Sequence, residues 1–466
     1  MRKIKIICTI GPKTESASMI KKLADNGMNI ARINMSHGDY RWYEKIIKSI
    51  KKINKNLRFP IGILMDTQGP EIRTSAETEV GLEEGETFKI GVNSVCDSLE
   101  KEKHTHIDHE NLTNKIKKKD VVLIDDGLVA LEVKKVEPHL ITCKVLNKGK
   151  IGKRKSVNIP NIRLDLPALT KKDKRDIKLG KKLEVDYIAQ SFVRNLKDLN
   201  EMKSFLKSIG SDASIIAKIE DQEGINNIKN IIRESDGIMV ARGDLGVEIP
   251  FESIPIVQRQ IVKECISQGK PVIIATHLLE SMINNPRPTR AEVTDVANAI
   301  FEKADCVMLS AETTKGEYPI ECVKTMHNIA KNVQKKLKFK HITELKTKDV
   351  KEAITLGACI NSENLDAKAI VVFTKTGRLL SLVTKNRPNV DIFAFTENER
   401  LKNKLLMYWN TFPFKISFNE DFKNNLSQAI DILKKYELIV KKDRIIVISD
   451  ITPHKKIDRM EIIEID

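Results

Sequence analysis

The sequence predicts an α/β protein: a (β/α)8 barrel of the TIM type, interrupted by a small β-barrel insert and followed by a separate α/β domain. Three observations predict it. Over residues 1–70 and 162–337, eight short apolar segments ending in polar or charged residues alternate with helical patterns. Between residues 71 and 161 the alternation stops, and β-rich fragments are separated by glycine and Asp-Asp-Gly turns. Over residues 338–466 a charged bridge, KHITELKTK, leads into a second alternating run.

In chain order, KIKIICTI (3–10) is the first strand, followed by an amphipathic segment at 16–26. MNIARIN (28–34) is the second, with a helix over 40–52, and IGILMD (61–66) is the third. The insert offers ETFKIGV, DVVLIDD, LVALEVKKVE, LITCKVLN and KSVNIP as strands. Barrel strands four to eight are VDYIAQSF (185–192), SIIAKIE (214–220), DGIMVAR (236–242), KPVIIAT (270–276) and ADCVMLSAE (304–312). In the last third, KAIVVFT, DIFAFT and DRIIVIS read as strands.

Composition narrows the class. The 466 residues suffice for two or three domains with their own cores. Hydrophobic content is 41%, and no apolar run approaches the length of a membrane span. MRKIKIICTIGP lacks a long apolar region and a small-residue cleavage site, so it reads as a strand, not a signal peptide. Seven scattered cysteines without CxxC spacing predict reduced thiols and a cytoplasmic protein. The net charge of +16 raises the question of nucleic acid, but 80 basic residues interleave with 64 acidic ones, which predicts a solvated lysine-rich surface.

The candidate chemistry centres on residues 214–246. Side chains two apart on a strand share a face, so Lys218 and Glu220 project together from one strand end. Asp244 lies within Arg-Gly-Asp-Leu-Gly, where two glycines suggest a tight turn with amides facing an anion. On the second strand Arg32, Asn34 and Ser36 share a face, offering a guanidinium fork and two neutral oxygens. Asp66 and Thr67, ending the third, complete with Asn34 and Ser36 an oxygen cage for a hard cation. Together these residues suggest metal-assisted phosphate chemistry.

Ten motifs then stand in sequence: CTIGP (8–12), ARINMSHGD (31–39), DTQGPEIR (66–73), LPALTKKD (166–173), SFVR (191–194), KIEDQEG (218–224), MVARGDLG (239–246), ATHLLESM (275–282), PTRAEVTDVANA (288–299) and DCVMLSAETTKGEYP (305–319). In this order they closely resemble the pyruvate kinase family. The resemblance implies phosphoryl transfer from phosphoenolpyruvate to ADP, giving pyruvate and ATP, with the insert as a mobile lid. It implies Glu220 and Asp244 as ligands of Mg²⁺ (or Mn²⁺), and Lys218 as the lysine at the transferring phosphoryl. Gly243 and Asp244 match the amides that bind the substrate carboxylate, and Thr276 matches a threonine in the proton path to the enolate. Arg32 and Arg73 would hold phosphates by bidentate contacts. Asn34, His37, Arg73 and Lys172 map to nucleotide contacts, with Pro12 shaping the pocket floor. Glu71 resembles the glutamate of members that need a monovalent cation, so the cage of Asn34, Ser36, Asp66 and Thr67 is expected to hold K⁺. A homotetramer is implied as well.

Some positions depart from the family pattern. Gln68 stands for a lysine, His277 and Leu278 for Gln-Met, and Asn161 for a glycine. Thr374, Lys375, Thr376, Gly377 and Arg378 resemble the phosphate-cradling loop of members activated by sugar phosphates, with Leu379 where a hydroxyl residue often helps. The final loop, SDITPHKKIDRM (449–460), has no glycine, and Asp450 would oppose a phosphate that Lys455 and Lys456 attract. Weak or altered effector control is the expectation. The rival readings are another metal-dependent barrel enzyme acting on phosphoenolpyruvate or pyruvate enolate, and a basic nucleic-acid-binding protein.

Overall fold

A computed structural model describes residues 1–75, 79–92, 103–107, 109, 111–160, 162, 166–336, 347, 349–451 and 459–466. Eight parallel strands close into a barrel in chain order: β1 (Lys5–Thr9), β2 (Ile30–Asn34), β3 (Gly62–Asp66), β4 (Tyr187–Gln190), β5 (Ser214–Ile219), β6 (Gly237–Ala241), β7 (Val272–Ala275) and β8 (Cys306–Leu309). Each lies within its sequence-predicted segment, shorter by one to several residues, because only the central residues pair in the ladder and the flanks turn into loops.

Strand parity divides the core. Ile7, Ile30, Leu64, Ile216, Met239 and Ile273 fill the barrel interior, while neighbours such as Ile6, Ala31, Ile63, Ile215, Ile238 and Ile274 pack outward against the helices. Covering both faces explains why these strands read as continuous apolar runs. Met407, from the C-terminal third, is fully buried and belongs to the interior cluster, so a side chain from outside the barrel plugs its base.

The helices begin where the sequence supplies caps. Thr170 and Asp173 form a capping box on the helix Lys171–Lys182, and Thr289 and Glu292 form another on Arg290–Phe301. Asp173 also accepts from the Gly69 amide at 3.1 Å, tying that cap to the chain leaving β3. Gly69 needs its left-handed φ of +74° there, and a Cβ would lie 2.7 Å from Ser191 Cβ.

The insert is the small β barrel expected, closed by a short bridging segment at its junction with the third barrel strand. Among the described residues it forms a six-stranded sheet, ordered Val157–Asn158, Val121–Ile124, Val129–Glu137, Leu140–Val145, Thr87–Val92 and His104–Ile107, beside a two-stranded sheet of Val80–Leu82 and Gly149–Ile151. Residues 72–75 lie between the two outermost strands of the larger sheet: Arg73 bridges Ser156 and Thr74 bridges Ile107, with the Thr74, Ser75 and Val157 amides donating to the Lys155, His106 and Ile72 carbonyls at 2.8–2.9 Å, so the ladder closes on itself. Three strands escaped the sequence reading: Val80–Leu82, His104–Ile107 and Gly149–Ile151.

The C-terminal region is a five-stranded sheet ordered Thr411–Lys415, Asp391–Thr396, Ala369–Phe373, Arg444–Ser449 and Arg459–Glu464, the last antiparallel. Apolar clusters cover both of its faces. Thr411–Lys415 was hidden in sequence by Pro413, which the outermost position of this strand tolerates. Asn161, Lys455, Lys456 and most of the charged bridge lie outside the described residues.

Candidate active site at the barrel mouth

The parity that turns Ile216 inward also turns Lys218 and Glu220 inward, one and two pleats nearer the C-terminal end of β5. Parity on β2 and β3 likewise brings Arg32 and Asp66 to the same mouth. The Lys218 ammonium lies 2.9 Å from Glu220 Oε1 and 3.2 Å from Asp66 Oδ1, and donates to Ser191 Oγ at 2.8 Å. Three acceptors therefore surround three N–H bonds. Arg32 Nε donates to Asp66 Oδ2 at 2.7 Å and Nη1 to Thr9 Oγ1 at 2.9 Å, leaving Nη2 without a partner among the described residues.

These charges are almost fully removed from water, with Asp66 and Glu220 at 0% and 1% exposure. Burial works against the Lys218 charge, but Asp66, Glu220 and Asp244 outweigh it and hold its pKa above the ordinary value. Burial would raise Asp66, yet Lys218 and Arg32 prevail and hold it below the usual carboxylate range. For Glu220 burial dominates and pushes the carboxyl up, opposed by Lys218 and reinforced by Asp244. Asp66 Oδ1 has no hydrogen bond although Lys218 is close, so that contact is an ion pair without donor alignment.

Residues Arg242–Glu248 form a short helix, not the tight turn expected from the two glycines, and neither Gly243 nor Gly246 has a positive φ. Its first turn is fixed by β7. Arg242 donates to the carbonyls of Ala275 and Thr276 at 3.2 and 2.6 Å, and the Gly243 amide donates to Thr276 Oγ1 at 2.8 Å. Thr276 is held at φ +67°, costly for a β-branched residue. Its hydroxyl donates to the Ala275 carbonyl at 2.6 Å. Asp244 carries no hydrogen bond or ion pair among the described residues, and it lines the adjacent cavity.

That cavity, of about 600 Å³, lies between the barrel mouth and the insert. Of the sequence-predicted residues it is lined by Asn34, Ser36, His37, Glu71, Arg73 and Asp244. Lys218, Glu220, Asp66 and Thr67 are buried at the strand ends. Arg73 is held by Glu71, with Nε and Nη2 at 2.8 and 2.7 Å from Glu71 Oε2. Asn34 Oδ1 accepts from the Ser36 amide at 3.0 Å. The Thr67 hydroxyl donates to the Ala189 carbonyl and accepts from the Ser191 amide, and the Thr67 carbonyl accepts from the Ser191 hydroxyl at 2.8 Å, so each oxygen keeps one lone pair to offer a cation.

Two residues expected at the nucleotide do not line the cavity. Lys172 points away to donate to the Met35 carbonyl at 2.5 Å and pair with Asp176 at 2.7 Å, bracing the loop after β2. Pro12 does not line it either. His277 follows Thr276 at φ +54° and lies 3.7 Å from Glu280, while Leu278 is buried in the core. In the C-terminal loop, Gly377 takes φ +83°, its amide donates to Thr374 Oγ1, and Lys375, Thr376 and Arg378 are exposed. Asp450 does not oppose that loop as an unpaired charge: its side chain is 7% exposed and lies 3.6 Å from Lys351.

The sequence reading assigned no role to Ser191, Phe192 or Arg242. Ser191 caps Lys218, the Phe192 amide donates to Glu220 Oε2 at 2.6 Å, and Arg242 anchors the helix bearing Asp244. Strand parity was the available signal for Ser191, two residues beyond the inward Ala189.

Comparison with known proteins bears on the whole chain. Residues 1–323 match the family model described as pyruvate kinase, barrel domain, and residues 352–463 match pyruvate kinase, alpha/beta domain. A pyruvate kinase from Staphylococcus epidermidis is 44% identical over 421 residues, covering 89% of this chain and 72% of the relative. One from Staphylococcus saprophyticus is 42% identical over 465 residues, covering 98% and 79%. One from Staphylococcus aureus is 44% identical over 421 residues, covering 89% and 72%.

Proposed function

Because this chain belongs to the pyruvate kinase family, we infer that its barrel mouth transfers the phosphoryl group of phosphoenolpyruvate to ADP, giving pyruvate and ATP as in glycolysis. The observation that carries the reading is the Lys218 ammonium among Asp66, Glu220 and Ser191, beside the unpaired carboxylate of Asp244. Both substrates are polyanions, and a pair of unit charges 4 Å apart repels by about 4 kcal/mol at an effective dielectric of 20. Fixed and bound positive charge must offset this.

Glu220 and Asp244 would hold Mg²⁺ or Mn²⁺ as a pair of carboxylates, that of Asp244 unpaired among the described residues and facing the cavity, with the coordination completed by substrate oxygens and water. Asn34, Ser36, Asp66 and the Thr67 carbonyl would hold K⁺, and the buried Asp66 Oδ1 without a hydrogen bond fits that use. Bound cations supply charge neutralisation and polarise the phosphoryl oxygens. Lys218 exchanges one of its three acceptors for the phosphoryl oxygens and stabilises charge in transfer. Arg32 offers Nη2 to phosphate, and the Asp244 amide, next to a Gly243 amide committed to Thr276, would receive the carboxylate. Thr276 has its proton committed to Ala275, so proton delivery to the enolate runs through water ordered at its hydroxyl. His37 and Arg73 would contact the nucleotide from the cavity wall, and Lys172 would act on it only indirectly, through the loop it braces.

The reading extends to a cytoplasmic homotetramer, with Thr374–Arg378 as a weak phosphate-effector loop. No helix among the described residues is long and apolar enough to cross a membrane. A lactate-dehydrogenase-coupled assay with ADP and phosphoenolpyruvate tests the central claim. Turnover by the wild type, with a loss of about 10²–10³-fold per folded molecule in Lys218→Met, is the expected result; the variant should also melt at a lower temperature, because Asp66 and Glu220 lose their buried ammonium. Unchanged turnover in the variant removes Lys218 from the mechanism, and equal wild-type rates in potassium and tetramethylammonium buffers remove the K⁺ site.

A further inference from the structure

The short helix Arg242–Glu248 is gripped at both ends by different parts of the molecule. At its start, Arg242 pairs with Asp295 at 2.8 Å and reaches the end of β7, while Gly243 binds the Thr276 hydroxyl. At its end, Glu248 Oε1 accepts a hydrogen bond from Asn158 Nδ2 of the insert at 2.8 Å. Beside that contact the insert's Gly127 faces Val247, at a distance where an added Cβ would lie 3.9 Å from Val247 Cγ1. Asp244 and Glu248 are four residues apart, hence on one helical face, and both line the cavity with Asp126, Ser156 and Asn158 of the insert.

A helix of seven residues has little rigidity of its own and takes its position from what holds it. We propose that Glu248 is a positioning residue: through its hydrogen bond from Asn158, the seating of the insert on the barrel mouth sets the position of Asp244 and, through Gly243, of Thr276. The proposal rests on the phosphoryl-transfer reading and deepens it. Closure of the insert then does more than exclude water, because it acts on a metal ligand and on the proton-delivering threonine through one helix. An amide donating to a carboxylate is a charge-assisted contact, stronger than a neutral hydrogen bond. The Glu248 carboxylate also has Asp221 and Asp244 as acidic neighbours, so Asn158 is the donor that offsets like charge on this face.

The test is a steady-state series on Asn158→Ala, Glu248→Ala, Glu248→Gln and the double alanine variant, at varied ADP, phosphoenolpyruvate and Mg²⁺. Each single alanine variant is expected to lower kcat roughly tenfold, as for one charge-assisted hydrogen bond, with smaller changes in KM. The double variant should be no slower than the slower single one. Glu248→Gln keeps a carbonyl oxygen for Asn158 and should recover most of the turnover lost in Glu248→Ala. Additive losses in the double variant overturn the proposal. So does Glu248→Gln matching Glu248→Ala, which would make charge and not the hydrogen bond decisive, or a fall in thermal stability that tracks the lost activity. Absence of wild-type turnover rejects the underlying reading instead, so the two failures are distinguishable.

Discussion

At the base of the barrel, Asp305 accepts four hydrogen bonds: Arg387 Nη1 and the Trp409 amide on one oxygen, and Arg387 Nη2 and the Val272 amide on the other, at 2.7–3.0 Å. At the mouth, Asp244 has no partner among the described residues, Asp66 Oδ1 has no hydrogen bond, and Arg32 Nη2 points free. The base is joined to the C-terminal region, with Arg387 over the Trp409 ring and Met407 inside the barrel. The mouth opens on a cavity. Both ends bury charge, but the base saturates its carboxylate, although Arg387 Nε is left without an acceptor among the described residues, whereas the mouth leaves carboxylate and guanidinium valence facing a cavity. That contrast separates a structural joint from a reactive site.

Arg387→Met should break the base most severely. It strands a buried carboxylate, for which a cost of about 3–5 kcal/mol is expected, read as a lower urea midpoint. Turnover per folded molecule should stay near wild type, because the mouth is at the other end of the strands. Adding Asp305→Asn should recover part of the loss, and an additive double variant would show the pair to be uncoupled. At the mouth the signs reverse. Asp244→Asn should lower turnover by about 10²–10³-fold, or about 2.7–4 kcal/mol of barrier, while thermal stability is unchanged or slightly raised because a carboxylate facing Glu220 is neutralised. A destabilised Asp244→Asn would mean that the mouth carries structure as well as chemistry.

How much of this was legible in the sequence follows from what each feature depends on. The barrel strands were legible because burial on both faces leaves a local signature in every one of them. Lys218, Glu220 and Asp66 were legible at the mouth because strand parity and strand ends are local too. The helix at Arg242–Glu248 was not: Arg-Gly-Asp-Leu-Gly alone reads as a turn, and what makes it helical is the anchoring of Arg242 on β7, more than thirty residues away. The contacts of Lys172 were not legible for a similar reason, since Asp176 one turn along its own helix draws it towards the Met35 carbonyl. The plugging of the barrel by Met407 leaves no local trace, because it depends on contact between regions far apart in sequence.

Lys5 tests whether the base is as saturated as Asp305 suggests. Its parity with Ile7 turns it into the lower end of the barrel, where it is 2% exposed, donates to the Thr411 carbonyl at 2.5 Å and lies 4.2 Å from the centre of the Phe412 ring. Burial pushes its pKa down to about 7, Arg2 adds to that, and Cys306, Asp391 and Asp305 oppose it. The unfolded chain binds the proton up to pH 10.5, the folded chain only up to about 7. Between these values the unfolded state holds more protons, so this group's contribution to stability rises with pH across that window, and its full penalty is felt below pH 7. From pH 6 to pH 8 the rise should be about 1 kcal/mol. Asp186, pushed up by burial to about 6, contributes with the opposite sign over the acid side of this range. Comparing wild type with Lys5→Met cancels that term. Urea midpoints at pH 6, 7 and 8 should converge on those of the variant as pH rises. A gap that stays constant with pH would mean that Lys5 keeps its proton throughout, with the Phe412 ring and the nearby carboxylates sufficing to hold the charge, and that the base is electrostatically closer to the mouth than its hydrogen bonds indicate.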